Sequence, residues 1–539
     1  MRLGIDFGST RIVVAAADRG NYPVVQFEAP DGTARDWFPP LIAARGAERR
    51  YGWEAWALQA EPEWTVIRSL KRHLPDCGPG AEIELDGEVI ALRTLLEELT
   101  ASLKRALIES SNLPGRNLEK ESFEAQLGVP ANANTNQRFL TAEAFRWGGF
   151  EALGLLNEPS AASLEYAHQN QADPDRERSL LVYDLGGGTF DVSLVTLAGR
   201  SHTVLGTEGL SALGGDDFDD ILAELALGEA GVSDSEREEM TQAEWFRLRE
   251  ECRARKEAIQ PNTRKIPVDL SLVRDGWSEM AVQVADFYER CRPAVGETLH
   301  AVDDLLERHG FATDGTREQG DRLEAVYVAG GGSELPLVPR ALRERFGRRV
   351  KRSAYGRSST AIGLAIQADA AAGYVLRDRF TRYFGVWREA DCGTRIAFDP
   401  LFSKETPLPA NGESPLLIDR RYHPTHNVGH FRYLECSRLT DDGQPSGDIT
   451  LWDDIRFPFD PALAGQEDLS QVAVTHSPEA AGQHVEESYS CDAGGRLQVF
   501  VHNHSSDYGR TFRLGRWASD GGRVTPGKRS KPRAKRRRA

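Results

Sequence analysis

The stretch YDLGGGTFDVS, residues 183–193, sets three consecutive glycines between two apolar runs. Glycine loses more conformational freedom on ordering than any other residue, so a triple needs a reason in the structure. A tight glycine turn can aim several backbone N–H groups at one anion, and the absence of side chains lets a phosphate lie against them. The expectation is that phosphate approaches Gly186, Gly187 and Gly188, with Thr189 closing the turn.

Outward from that stretch, the N-terminus repeats the arrangement. LGID, FGST and RIVVAAA read as strand, turn and strand, as do LLVYD, LGGGT and FDVSLV. In each, a strand ends on an aspartate (Asp6, Asp184), glycine follows two positions later (Gly8, Gly186), and threonine closes the turn (Thr10, Thr189). Two matched hairpins about 180 residues apart predict an internal duplication, two related lobes facing each other. A third cluster, VAGGGSELPLVPRALRERF, reads as a strand over 325–329, then Gly330, Gly331 and Gly332, then a helix with Ser333 as N-cap and Pro336 in its first turn. A charged helix is expected over 236–260, and alternating apolar positions on either side of Asp275-Gly276 predict a β-hairpin over 268–284. Beyond about residue 376 helical patterning stops, and short strands punctuated by Pro and Gly mark a β-rich region.

At 539 residues, with 40% apolar and 27% charged, the chain fits several globular lobes with real cores. No apolar stretch reaches the roughly 18 residues of a membrane helix. Asp6 sits where the apolar core of a signal peptide would begin. The six cysteines include no CxxC pair, which fits free thiols in a reducing cytosol, so a cytoplasmic protein is expected. The net charge is −16, but eight Lys or Arg crowd the last 13 residues, leaving −24 on the remainder. An acidic body argues against a nucleic-acid groove on the folded part, and only the tail could bind a polyanion.

Three glycine clusters, two with an aspartate at the strand end, suit a nucleotide polyphosphate with a divalent metal. The carboxylates would hold magnesium largely through its waters, and one could orient an attacking water. No GxxxxGK[ST] is present, so this is not a P-loop.

YDLGGGTFDVS, LLNEPSAASLEYA, LGGDDFD, VAGGGSELPLV and GIDFGST together resemble the nucleotide-binding domain of the seventy-kilodalton heat-shock chaperones of DnaK type, over about residues 1–372. The resemblance implies an α/β actin-like ATPase domain over 1–376, two lobes with a duplicated β-sheet core clasping ATP or ADP with Mg2+. It implies a β-rich, sandwich-like substrate-binding domain over 377–520, before a disordered basic tail over 521–539. By position, Asp6 and Asp184 match the aspartates around magnesium. Ser9 and Thr10 match the first phosphate loop, as Gly186 to Thr189 match the second, followed by Asp191. Lys71 in TVIRSLKRHL matches the catalytic lysine, and Glu158 of NEPSAA the glutamate that positions water. Gly214 and Gly215 of LGGDDFD and Lys256 complete the expected nucleotide contacts. Pro130 and Arg138 match a pair that relays nucleotide state.

The departures lie elsewhere. Along the helix that usually grips adenosine the chain reads Arg253, Lys256 and Gln260, and Glu334 replaces the arginine usually stacked on adenine. Weaker affinity or a relaxed base preference is expected. The usual apolar interdomain linker is interrupted by Arg377, Asp378, Arg379 and Arg382, and no helical lid fits before the tail, so weak interdomain coupling is expected. His423, His426 and His430 could suggest a metal site, but Pro424 and Gly429 argue against a helix presenting them together. The function implied is an ATP-dependent chaperone binding extended polypeptide, with co-chaperones as further partners. A nucleotide-gated scaffold for one protein partner is the first alternative, and a small-molecule kinase of the same fold the second.

Overall fold

The computed structural model describes residues 1–514 except 69, 78–79, 116–117, 171–176, 313–322, 391–394, 411–412, 453 and 467. The expected basic tail and Cys392 lie outside the described residues.

Each half of the first 377 residues opens on a hairpin. β1 (Arg2–Phe7) runs antiparallel to β2 (Ile12–Ala16) and parallel to β3 (Glu124–Val129), which pairs in parallel with β4 (Glu151–Asn157). β5 (Arg178–Leu185) runs antiparallel to β6 (Phe190–Ala198), which pairs with β7 (Ser201–Leu210). β5 also runs parallel to β8 (Leu323–Ala329), and β8 to β9 (Val350–Arg352). β10 (Val375–Arg377) completes the second sheet beside β7. The orders β4-β3-β1-β2 and β9-β8-β5-β6 are the same topology twice, the duplication expected from the paired Asp–Gly–Thr turns.

Both faces of each hairpin are covered, so its strands are apolar throughout rather than alternating. On one face Leu3, Ile5, Phe7, Ile12 and Val14 join a core with helix Leu92–Glu109. On the other, Val13 and Ala15 meet helices Glu158–Gln169 and Ser359–Ala368. These two helices cross between the sheets, and glycine permits the crossing. A Cβ on Gly363 would lie 1.8 Å from the Ala161 carbonyl oxygen, and one on Gly4 2.1 Å from the Ala365 nitrogen. Helix Glu158–Gln169 covers the second sheet as well, through Ala162 and Tyr166 against Leu180, Val182 and Val195.

From Tyr383 the chain builds two four-stranded antiparallel sheets. One comprises Arg395–Phe402, Tyr383–Ala390, Tyr433–Leu439 and Pro445–Leu451, and the other Leu416–Tyr422, Val485–Cys491, Leu497–Asn503 and Tyr508–Leu514. Phe384, Phe402 and Tyr433 from the first meet Tyr489, Val499 and Val501 from the second in one core, the packing of a β-sandwich. No helix among the described residues is long and apolar enough to cross a membrane.

Three local expectations change. The helix expected over 236–260 is two, Asp234–Glu238 and Gln242–Glu257. Thr241 breaks it, because its hydroxyl accepts from Glu244 N while the Glu244 carboxylate accepts from Thr241 N, a capping box that starts a new helix. The hairpin begins earlier and has a longer connection than expected, pairing Lys265–Asp269 with Glu279–Gln283, since Leu270–Leu272 forms a 3-10 turn capped by Asp269. Ser333 caps no α-helix. It lies in a 3-10 turn and its hydroxyl donates to the Gly330 carbonyl, while the helix begins at Leu337.

Candidate functional site

The turns after β1 and β5 face each other across a cavity of about 530 Å³. Gly8, Ser9 and Thr10 line it from one side, and Gly186, Gly187, Gly188 and Thr189 from the other. Gly330, Gly331 and Gly332 after β8, with Gly215 and Lys256, complete that wall. All five expected catalytic residues, Asp6, Lys71, Glu158, Asp184 and Asp191, line the same cavity. Of the expected nucleotide contacts only Gly214 stands behind it. A Cβ there would lie 2.6 Å from the Gly187 carbonyl carbon, so Gly214 lets the start of helix Gly215–Glu229 approach the glycine turn.

The glycines have a second use that the sequence did not show. A Cβ on Gly187 would fall 2.1 Å from Thr10 Oγ1 and 2.8 Å from Ser9 Oγ, so the two duplicated turns pack backbone against side chain. A Cβ on Gly332 would lie 2.6 Å from the Gly186 carbonyl oxygen. Gly330 has φ of 80°, which favours glycine, and a Cβ there would lie 2.3 Å from the Leu185 carbonyl oxygen. Bare backbone is needed first to bring three loops together.

The carboxylates come from matched positions. Asp184 and Asp191 are cross-strand partners on the second hairpin, whereas Asp6 on the first faces Val13. Glu158 opens its helix directly after β4. Lys71, on the 3-10 turn Leu70–His73, donates to Glu158 Oε1 at 2.7 Å. Asp191 Oδ1 accepts from Asn132 N at 3.2 Å, which ties it to the segment after Pro130. Burial pushes Asp6 up to about 7, helped by Glu158 and opposed by Lys71. Burial and Glu158 likewise push Asp191 up to about 7 and Asp184 well above the usual carboxylate range. For Lys71 burial acts downward, but Glu158 and Asp6 outweigh it and hold the ammonium above its ordinary value. Four acids against one lysine leave the site short of positive charge.

That donor set fits a divalent cation. Thr10 Oγ1 is buried with no hydrogen-bond partner among the described residues, a further oxygen directed into the turn. Among the described residues no three His, Cys, Asp or Glu side chains form a direct ligand set, so a cation here would be held largely through water. The histidine-rich segment forms no such set either: His423 Nδ1 lies 2.7 Å from the Gln483 carbonyl oxygen, and His430 pairs with Asp454.

The rest of the cleft wall is charged, beginning beside the glycine turn, where Asp216 N donates to the Gly187 carbonyl at 2.7 Å and a Cβ on Gly188 would fall 2.8 Å from Arg72 Nε. Three arginines of the first half reach acids of the second: Arg11 to Glu257 at 2.6 Å, Arg72 to Asp216 at 2.9 Å, and Arg68 Nε to Glu250 at 2.9 Å. Arg357 lies between Glu257 and Glu334. Lys256 lines the cavity but turns its ammonium to Asp219 at 2.7 Å and to the Gly215 carbonyl. Arg253 pairs with Glu250, Asp216 and Asp219, whereas Gln260 is exposed and outside the lining. Sequence reasoning missed these ion pairs because no motif joins partners so far apart in the chain.

The charged linker residues are seated rather than loose. Asp378 Oδ2 accepts from Ser160 Oγ at 3.3 Å, Arg379 Nη1 donates to the Glu405 carbonyl at 2.9 Å, and Arg382 pairs with Asp448 at 2.9 Å. Beside them Thr135 N and Oγ1 donate to Glu435 at 2.8 and 3.0 Å, and Asn134 Nδ2 donates to Thr450 Oγ1 at 3.1 Å. Arg138 donates to Asn157 and, through Nε, to the Ala133 carbonyl. The segment that holds Asp191 is therefore also the segment that meets the β-sandwich. The family described as Hsp70 protein matches residues 2–380 of the chain, up to the point where it leaves the second sheet.

Proposed function

The chain belongs to the Hsp70 family, whose members are ATP-dependent chaperones, and on that premise we propose that its cleft binds and slowly hydrolyses ATP in communication with the β-sandwich. The observation that carries this reading is the convergence of the Lys71–Glu158 pair with buried Asp184 and Asp191 and half-buried Asp6 on turns of bare backbone. The N–H groups of Gly187 and Gly188 cradle the phosphates, while Gly186 N–H closes the turn on the Thr189 carbonyl at 2.9 Å. Lys71 faces the γ-phosphate and offsets charge that spreads over its oxygens as the bond to the leaving group breaks. Glu158 accepts a hydrogen bond from the attacking water and aims it in line. Asp191, fixed through Asn132, supports the same water or its neighbours. Asp6 and Asp184 are the residues that would hold magnesium, which when bound supplies the positive charge the carboxylates lack.

The sandwich would hold an extended apolar segment by main-chain hydrogen bonds and side-chain pockets. A nucleotide-gated scaffold is the second reading. Its support is the hydrogen-bonded seating of Asp378 on Ser160 and of Glu435 on Thr135, which joins the two parts by specific polar contacts. Single-turnover hydrolysis tests the primary reading. Lys71→Ala and Asp184→Asn should each lose at least about tenfold in rate, roughly 1.4 kcal/mol, with unchanged circular dichroism. Wild-type rates in both folded variants would remove the assignment.

A further inference from the structure

At the ends of the sheets away from the glycine turns, a second cavity of about 580 Å³ opens between the two halves. Arg2 at the start of β1, Arg19 after β2 and Arg200 in the turn between β6 and β7 bring three guanidinium groups to it. Asp369 is the only acid in its lining, and both its oxygens are committed. Oδ2 accepts from the Tyr22 hydroxyl at 3.1 Å and Oδ1 from Ala371 N at 3.0 Å. Arg2 and Arg19 each engage a carboxylate through Nε alone, Glu124 at 3.1 Å and Asp18 at 3.0 Å. Arg200 makes no side-chain hydrogen bond or ion pair among the described residues, and its guanidinium carbon lies over the Tyr374 ring, 6.0 Å from the centroid. The rest of the wall is largely aromatic. Tyr22 meets His168 edge to face at 5.1 Å, and buried His202 stands edge-on to Tyr374 at 5.6 Å. Burial and then the Arg200 charge hold His168 below its ordinary value, and the same charge opposes the upward shift that burial gives Tyr22 and Tyr374, so the guanidinium stands close to all three rings.

We propose that this cavity binds a phosphate monoester carrying a flat ring, at a site separate from the cleft between the glycine turns. Guanidinium groups donate in forks that match phosphate oxygens, and a dianion offsets the charge that three arginines leave beside one committed aspartate. The chain as a whole carries −16, so a cationic hollow runs against its general charge and draws anions to one place. The ring of the ligand lies against Tyr22 and Tyr374, where offset or edge-on contacts favour another aromatic group. Arg200 is the anchor, because its donors are uncommitted and Tyr374 lies against it. The site also joins the two halves. Arg2 and Tyr22 come from the first, Arg200 and Tyr374 from the second, and the Arg200 carbonyl accepts from Val375 N at 3.0 Å where β10 pairs with β7.

Calorimetry on the full chain near neutral pH with phenyl phosphate, inorganic phosphate and benzyl alcohol tests this. Phenyl phosphate should bind at one site, with inorganic phosphate at least about fivefold weaker and benzyl alcohol weaker still. Arg200→Gln should weaken phenyl phosphate at least about tenfold, because a charge-assisted pair is lost. Lys71→Ala, which alters the other cavity, should leave that affinity within about twofold. No binding of phenyl phosphate overturns the inference, as does an unchanged affinity in folded Arg200→Gln. Inorganic phosphate binding as tightly as phenyl phosphate overturns it too, since the aromatic wall then reads nothing. A loss in Lys71→Ala without one in Arg200→Gln would place the anion between the glycine turns and overturn it likewise. Should Arg200→Gln not fold, Arg2→Gln decides, with a loss of at least about threefold expected and an unchanged affinity counting against the site.

Discussion

At the end of the cleft that we assign to the phosphates the chain supplies bare backbone and four carboxylates with one lysine between them, whereas at the end we assign to the base nearly every charge faces its opposite. The phosphate end is thereby left dependent on something that arrives with positive charge. The base end is complete in itself, and a ligand must compete with existing ion pairs there. One end is held rigid by close approach of loops without side chains. The other is held by long arginines that can exchange partners. The difference teaches where change is tolerated: steric constraint fixes the first end, while charge balance alone fixes the second.

The sharpest way to break this contrast is to add a methyl group. Gly330→Ala puts a Cβ at φ of 80°, 2.3 Å from the Leu185 carbonyl oxygen and 2.4 Å from Asp184 Oδ1. A cost of about 3 kcal/mol or more is expected, with loss of nucleotide binding. Gly331→Ala is the control, since the nearest atom is the Arg357 Cγ at 3.9 Å, and it should stay within about 1 kcal/mol. Urea denaturation of both variants checks this, and equal stability would show that the loops can separate.

Unbalanced carboxylates give the second test. Folding raises Asp6 and Asp191 from the ordinary carboxylate value to about 7. Between about pH 4 and 7 the unfolded chain releases those protons and the folded chain keeps them, so the ligand-free protein loses stability as pH rises through that window. Its melting temperature should be lower at pH 7.5 than at pH 5 by about 5 °C, and magnesium with nucleotide should close most of that gap. Asp191→Asn should flatten the slope. Calorimetric melts across the pH range decide it, and a melting temperature that climbs with pH would contradict the charge shortfall.

The smallest effect is expected at the base end. Arg11 and Glu257 keep side-chain exposures of 18% and 27%, and Arg11 also lies over Trp37 at 5.2 Å from the ring centroid. Arg11→Ala should therefore cost only about 0.5–1 kcal/mol, less at high salt. A loss as large as that of Gly330→Ala would mean that the two ends are equally rigid.

Much of the phosphate end was legible because its signals are local. The Asp–Gly–Thr turns and the third glycine cluster each depend on residues within one short segment. Even there Ser333 misled, because a serine before an apolar periodic run looks like a cap whether or not the following turn is an α-helix. At the base end the sequence showed only that Glu334 and Arg253 were unusual. It could not show that Glu334 turns to Arg357, or that Arg253 turns to Asp216 and Glu250. The charged linker was read as an interruption, and the structure seats its Asp378 and Arg382 on defined partners.

What the sequence alone determined is the backbone: two duplicated hairpins, the glycine turns after β1, β5 and β8, and the strand ends that carry Asp6 and Asp184. These follow from φ/ψ preference and apolar patterning over a few residues, which act before any distant segment has arrived. Only the tertiary structure decided which charge meets which. Lys71 finds Glu158 and Arg11 finds Glu257 across separations of 87 and 246 residues. Coulombic attraction acts through space and is indifferent to chain order, so these pairings exist only once the two sheets have been packed face to face.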